Sequence, residues 1–91
     1  MSQIQTQIQW NPIVLEKYKK MISKIPIFHR ELAKQVVEKK APQLASERKA
    51  SEVEEQDVIQ AFLTEVPLAF YSLMIRLMDE VGFDHEKYES K

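Results

Sequence analysis

The sequence predicts an all-α fold, a small four-helix domain built on a long helix-turn-helix with flexible tails. Apolar residues recur at spacings of three and four over most of the chain, which is the pattern of amphipathic helices. The chain contains one Gly, whereas a fold of strands and tight turns needs several, because turns with positive φ favour Gly. Its 91 residues correspond to one domain. We assign residues 1–9 to a mobile N-terminal tail, 10–82 to the helical domain and 83–91 to a C-terminal tail.

Prolines delimit the first two helices. The first is expected at 12–23, because the side chain of Asn11 can cap it and Pro12 suits the first helical position. Pro26 then ends this helix and opens a longer one at 26–47. Lysines that lie off the apolar stripe of the first helix either keep one helix face hydrated or form a phosphate-binding strip. They are Lys17, Lys19, Lys20 and Lys24.

The second half of the chain is expected to form two further helices. Pro42 lies within the second helix and predicts a kink or a break there. After a short polar turn the third helix is expected at 54–66, where acidic residues favour the positive end of the helix dipole. The fourth helix is expected at 67–81, with Gly82 as a left-handed cap that lets Phe83 fold back.

The apolar stripes of these helices predict the core. Its expected members are Leu15, Tyr18, Ile22, Ile25, Phe28, Leu32, Val36, Val58, Phe62, Leu73 and Leu77. His29 lies at the centre of the apolar arc of the second helix, and we interpret it as a residue of the core or its edge. The only other imidazole is His85, in the expected tail, so the two histidines do not predict a metal site.

The fourth helix is apolar around more than half of its circumference, which exceeds what packing on one side requires. Its surplus residues predict an interaction surface for a homodimer or for docking onto a larger protein. They are Tyr71, Met74, Ile75 and Met78. Met suits such a surface because it is flexible and polarizable. The alternative is that these residues complete a four-helix core.

The composition predicts no enzyme chemistry. The absence of Cys removes thiolate nucleophiles and Cys-ligated metals, and one Gly cannot form a glycine-rich phosphate loop. The many carboxylates fall on polar helix faces, where they keep the surface hydrated. We therefore expect no catalytic residues, no metal and no cofactor.

The expected location is the cytoplasm. The first ten residues lack a basic region followed by an apolar run, and no apolar stretch approaches the ~20 residues of a membrane helix. The formal net charge of −1 argues against coating nucleic acid or an anionic membrane. We expect a protein partner or a second copy, bound through the 67–81 helix.

Three segments together resemble a known domain: Trp10-Asn11-Pro12, the stretch Lys24–Arg30 that reads KIPIFHR, and Val53–Phe62. They resemble the small C-terminal domain of the light-independent protochlorophyllide reductase B subunit. The resemblance covers residues 10–62 and implies a non-catalytic helical interaction module, at most an accessory domain of a reductase. It transfers no catalytic residue, and a bound tetrapyrrole would find no better axial ligand than His29.

The order helix, short extended turn and helix is also similar to the histone fold, which implies nucleic-acid binding as the alternative function. Histone-like proteins neutralise phosphates with basic side chains, and the net charge of −1 argues against this function. A joint basic cluster would favour it. The cluster would comprise Lys17, Lys20, Lys24, Lys39, Lys40, Arg48 and Lys49.

Overall fold

The computed structural model of the protein describes residues 8–88, which form four α-helices and one pair of very short strands. In chain order the elements are β1 (Gln9–Trp10), α1 (Pro12–Lys24), α2 (Ile27–Glu47), β2 (Glu52–Val53), α3 (Glu55–Glu65) and α4 (Tyr71–Val81). Single turns of 3₁₀ helix lie at Leu68–Phe70 and His85–Lys87. The all-α fold and its four helices are thus confirmed, and the fourth begins with the first of these 3₁₀ turns.

The start of α1 is tied to the turn between α2 and α3. The Asn11 side-chain oxygen accepts hydrogen bonds from the N–H groups of Ile13 and Val14 at 2.9 and 3.2 Å, as expected for an N-cap. The side-chain amide of Asn11 donates to the Glu52 carboxylate at 2.9 Å, and β1 pairs with β2 in parallel. Residue 9 therefore belongs to a strand and not to the expected mobile tail, whose residues 1–7 lie outside the described part of the chain.

Helix α2 runs through Pro42 as one element, so of the expected kink or break the break is absent. Its buried residues are Ala33, Val37, Ala41 and Ala45, which recur at every fourth position. This face packs chiefly against α3. Small side chains let the two helix axes approach closely, so the core side of α2 is formed mostly by alanines.

A bidentate ion pair fixes the turn after α2. The Arg48 guanidinium donates to the two carboxylate oxygens of Asp57 at 2.9 and 2.8 Å. Asp57 is buried and also accepts the Glu54 N–H at 2.8 Å, which completes a capping box at the start of α3. The hydrogen bonds to Asp57 raise the pKa of Arg48. Lys49 adopts a φ of 62° in this turn, a left-handed conformation that usually favours Gly.

The core contains most of the expected residues but excludes two large ones. Six expected residues are buried: Tyr18, Ile22, Ile25, Val58, Phe62 and Leu77. Three are half-buried at its margin: Leu15, Val36 and Leu73. The prediction is wrong for Phe28 and Leu32, which are 92% and 57% exposed. They lie on a face of α2 next to the alanine face, and only the alanine face points inward.

The chain after α4 packs back onto the helices. Gly82 ends α4 with a φ of 87°, as expected for a left-handed cap, and the Phe83 N–H donates to the Met78 carbonyl at 2.9 Å. Phe83 and His85 are buried, and the Gln60 side chain donates to the backbone carbonyl of Tyr88. The expectation of a tail from residue 83 onward is therefore wrong as far as residue 88, and residues 89–91 lie outside the described range.

Candidate interaction surfaces

The four residues expected to form an exposed surface on the fourth helix do not form one. Met74 and Met78 are buried, and Tyr71 and Ile75 are half-buried. The exposure expected of the two methionines is therefore wrong. Helix α4 contacts both α1 and α3, and the 3₁₀ turn at His85–Lys87 packs against it as well, so neighbours cover more of its arc than expected.

Exposed apolar side chains lie instead around the α1–α2 junction and the link between α3 and α4. Phe28 and Leu32 lie on successive turns of α2, and Leu68, which is 83% exposed, lies in the link. Between α2 and the link is a concavity of about 130 Å³. Among its walls are Leu32, Val36, Val66, Pro67, Phe70 and Leu73. We call this concavity the apolar groove, and Phe28, Leu32 and Leu68 with the groove the apolar face.

His29 lines the apolar groove and is exposed, so of the two expected positions, the core or its edge, the core is wrong. Its ring centroid lies 4.7 Å from that of Phe70 in a tilted arrangement across the groove. The orientation of this part of α2 depends on Arg30, whose guanidinium donates to the Ser23 and Ile25 carbonyls at 3.1 and 3.0 Å. These bonds satisfy backbone acceptors at the end of α1 and tie them to the first turn of α2, where Phe28 is exposed.

A second and larger concavity, of about 920 Å³, lies between the β1–α1 segment and α2. Its lining includes the apolar residues Ile8, Trp10, Leu15, Ile22 and Pro42. Tyr18 also lines it, and its polar lining includes Glu38 and three lysines: Lys19, Lys34 and Lys39. We call it the lysine groove.

Tyr18 lies at the bottom of the lysine groove. Its ring centroid is 5.0 Å from that of Trp10, and its hydroxyl donates to the Glu38 carboxylate at 2.8 Å. Burial raises the pKa of Tyr18, and the hydrogen bond to Glu38 raises it further. The phenol is therefore a neutral donor that holds Glu38 in place.

Four members of the basic cluster that would favour nucleic-acid binding are bound to acceptors of the chain itself. Lys17 donates to the Gly82 carbonyl at 3.1 Å, and Lys24 pairs with Glu80 at 3.2 Å. The other two are Lys40, which pairs with Glu65 at 4.0 Å, and Arg48, which pairs with Asp57. Three of these four side chains pair with carboxylates, which reduces the positive charge available to a common surface.

Within residues 8–88 no group of three or more His, Asp or Glu side chains is arranged to hold a metal ion. Nor does any helix in that range combine the length and the apolar character needed to cross a membrane.

The fold and its surfaces define a small helical domain with an exposed apolar face and a lysine-rimmed groove. The chain belongs to the family described as "Protein of unknown function (DUF2621)", which matches residues 3–91. The expected kinship with the protochlorophyllide reductase domain is therefore wrong, because the family match covers nearly the whole chain and is to a different family. No curated protein and no solved structure shows a significant match.

Proposed function

We propose that this chain is a non-catalytic helical interaction domain that acts in the cytoplasm and binds a second copy of itself through the apolar face. The observation that carries the proposal is Phe28, which is 92% exposed and lies next to His29 and one helical turn before Leu32, two residues that line the apolar groove. Large apolar side chains that cluster in solvent are typical of protein contacts, because burying them removes apolar area from water. Aromatic side chains are common anchors of such contacts.

A second copy fits this face because it carries both a protruding side chain and a recess. Phe28 lies one helical turn before Leu32, which lines the apolar groove. In a dimer with two-fold symmetry the same patch meets itself, so each Phe28 can enter the groove of its partner. The groove, at about 130 Å³, is small and suits one ring better than a helix.

The charge of the groove also favours a neutral occupant. Its one charged lining residue is Glu65, and that carboxylate pairs with Lys40 at 4.0 Å. A phenyl ring needs no ionic partner and leaves this pair undisturbed. The alternative occupant is a neutral apolar side chain of a different protein. The oligomeric state of the wild-type chain distinguishes this alternative from a second copy.

The test is the oligomeric state of the wild-type chain and of Phe28→Glu. We expect the wild type to sediment as a dimer at high concentration and Phe28→Glu as a monomer. The free energy of unfolding of the monomer should change by less than about 1 kcal/mol in Phe28→Glu or Phe28→Ala, because the side chain is exposed. Sedimentation velocity over a range of concentrations and urea denaturation at low concentration measure the two quantities.

Ile13→Glu is the matched control. Ile13 is an apolar residue that is 68% exposed, but it lies at the opposite end of α1 from the junction with α2. This variant should dimerise like the wild type. A wild type that remains monomeric at the highest concentration would exclude the second copy, and equal dissociation of both variants would show that the effect is not specific to the apolar face.

A further inference from the structure

We propose that the lysine groove is a binding site for a small anionic ligand with an apolar body, such as an amphipathic carboxylate. The groove is a separate concavity from the apolar face and does not depend on self-association. Its volume of about 920 Å³ is within the range of small-molecule sites, about 300–1,000 Å³. It is walled by β1 and α1 on one side and by α2 on the other, so a ligand would be held between separate elements.

The charge of the groove favours an anion. Lys19, Lys34 and Lys39 line it, against the single carboxylate of Glu38. Within residues 8–88, neither Lys19 nor Lys39 forms an ion pair. Lys34 reaches only Glu31, at 3.9 Å and in an exposed position, where an ion pair contributes little. At least two ammonium groups are therefore available for a ligand.

The single carboxylate, that of Glu38, offsets this positive charge only at the place where the Tyr18 hydroxyl holds it. One of its carboxylate oxygens accepts the hydrogen bond from the buried Tyr18 hydroxyl at 2.8 Å. This bond fixes the carboxylate beside Tyr18, whereas the side chains of Lys19 and Lys39 are exposed and long and can follow a ligand. An anionic head is thus expected at the lysine rim.

The apolar part of the lining favours an apolar body on the same ligand. Trp10 and Leu15 are half-buried and keep apolar surface in this lining, and Trp10 forms a tilted aromatic pair with the buried Tyr18. An aliphatic chain or a ring packed there loses water contact and gains van der Waals contacts. A simple inorganic anion would leave this surface wet, so the structure favours an amphipathic ligand.

The experiment is a titration of the full-length ¹⁵N-labelled protein, followed by two-dimensional ¹H–¹⁵N NMR. The probes are decanoate, kept below its micelle concentration, and decanol as the uncharged match. We expect decanoate to shift the Trp10 indole N–H and the amides around Lys19 and Lys39, in a saturable and salt-sensitive way. Decanol should bind more weakly, because it offers the lysines no charge.

The double variant Lys19→Gln/Lys39→Gln should bind decanoate about tenfold more weakly, since two exposed charge contacts are lost. Lys20→Gln is the matched control, because Lys20 is exposed on the same helix but does not line the groove. This control should bind decanoate like the wild type.

Four results would overturn the proposal. They are equal binding of decanol and decanoate, shifts confined to the amides of the apolar face, a double variant that binds like the wild type, and binding to phosphatidylglycerol vesicles without binding to free decanoate. The last result would assign the lysines to a membrane surface.

Discussion

Among single residues, Tyr18 connects the hydrophobic core to the lysine groove. Its ring lies between Trp10 and Phe62, with centroid distances of 5.0 and 6.0 Å. Its hydroxyl is the polar end of this otherwise apolar stack and donates to Glu38 at 2.8 Å. Burial and this hydrogen bond both favour the neutral phenol, which raises the pKa of Tyr18 above its ordinary value of 10.0.

The raised pKa predicts a loss of stability at alkaline pH. Above its ordinary pKa of 10.0 Tyr18 ionises in the unfolded chain, while in the folded chain it stays neutral. Unfolding is therefore favoured as the pH rises, by up to about 1.4 kcal/mol per pH unit. The contribution is complete below pH 10.0 and decreases above it.

The measurement compares wild type with Tyr18→Phe by urea denaturation from about pH 8 to about pH 11. Tyr18→Phe should be less stable at neutral pH by about 1 kcal/mol, because the hydrogen bond to Glu38 is lost. The difference between the two proteins should shrink and then reverse above pH 10.0. Tyr71→Phe, which changes a half-buried ring on α4, controls for general alkaline unfolding. A difference that does not vary with pH would contradict the assignment.

At the scale of elements, α2 shows where sequence patterns predict well and where they do not. The start of α1 was predicted closely from the Asn11 cap, and the start of α2 from Pro26. The inward face of α2 was predicted wrongly, since the expected arc included Phe28 and Leu32. Large side chains dominate the apolar pattern of a sequence, whereas the contact with α3 is made mostly by small ones. A small buried residue such as Ala33 contributes little to the pattern. Periodicity alone does not show which part of a wide apolar arc faces inward.

Pro42 shows a second limit of the sequence. A proline inside a helix removes one backbone hydrogen bond and crowds the preceding turn, which was the reason to expect a kink or a break. Helix α2 nevertheless continues to Glu47, because packing of Ala41 and Ala45 on both sides of Pro42 holds the backbone helical. Tertiary contacts of this kind are not readable from the local sequence.

Helix α4 yields a test of its buried position. Met78 is completely buried, so Met78→Glu would place a carboxylate in the core without a partner. We expect the free energy of unfolding to fall by at least about 3 kcal/mol, or the chain to fail to fold. Arg76→Glu, an exposed change on the same helix, should alter stability by less than about 1 kcal/mol. Thermal denaturation followed by circular dichroism measures both, and a stable Met78→Glu monomer would show that Met78 is not in the core.

At the scale of the whole molecule, both ends of the described chain return to the helical body. Phe83 was foreseen as a contact after the Gly82 cap, because the cap geometry is local. His85 was not foreseen, and its ring nitrogen lies 2.8 Å from the carboxylate of Asp79. The two grooves were not foreseen either, since each is formed by segments far apart in the sequence. Lys19 and Trp10 were visible in the sequence as residues, but their convergence with Lys34 and Lys39 was not.

The packing of the C-terminal segment predicts that Phe83 supports the whole fold. Phe83 is 2% exposed, so Phe83→Ala should lower the free energy of unfolding by about 3–5 kcal/mol. Leu68→Ala is the control, because it removes an apolar side chain that is 83% exposed and should cost less than about 1 kcal/mol. Urea denaturation measures both. Equal stability of the two variants would show that the segment after α4 does not contribute to the core.

The pairing of β1 with β2 has a consequence for how folding can be observed. Asn11 and Glu52, which are bonded across this contact, are 41 residues apart, so closing it has an entropic cost that helix formation within α1 or α2 does not. Trp10, the only tryptophan, lies in β1 against Tyr18. Its fluorescence thus reports long-range closure, whereas far-ultraviolet ellipticity reports the helices. Stopped-flow traces of the two signals give the order in which local and distant structure form, without an added label.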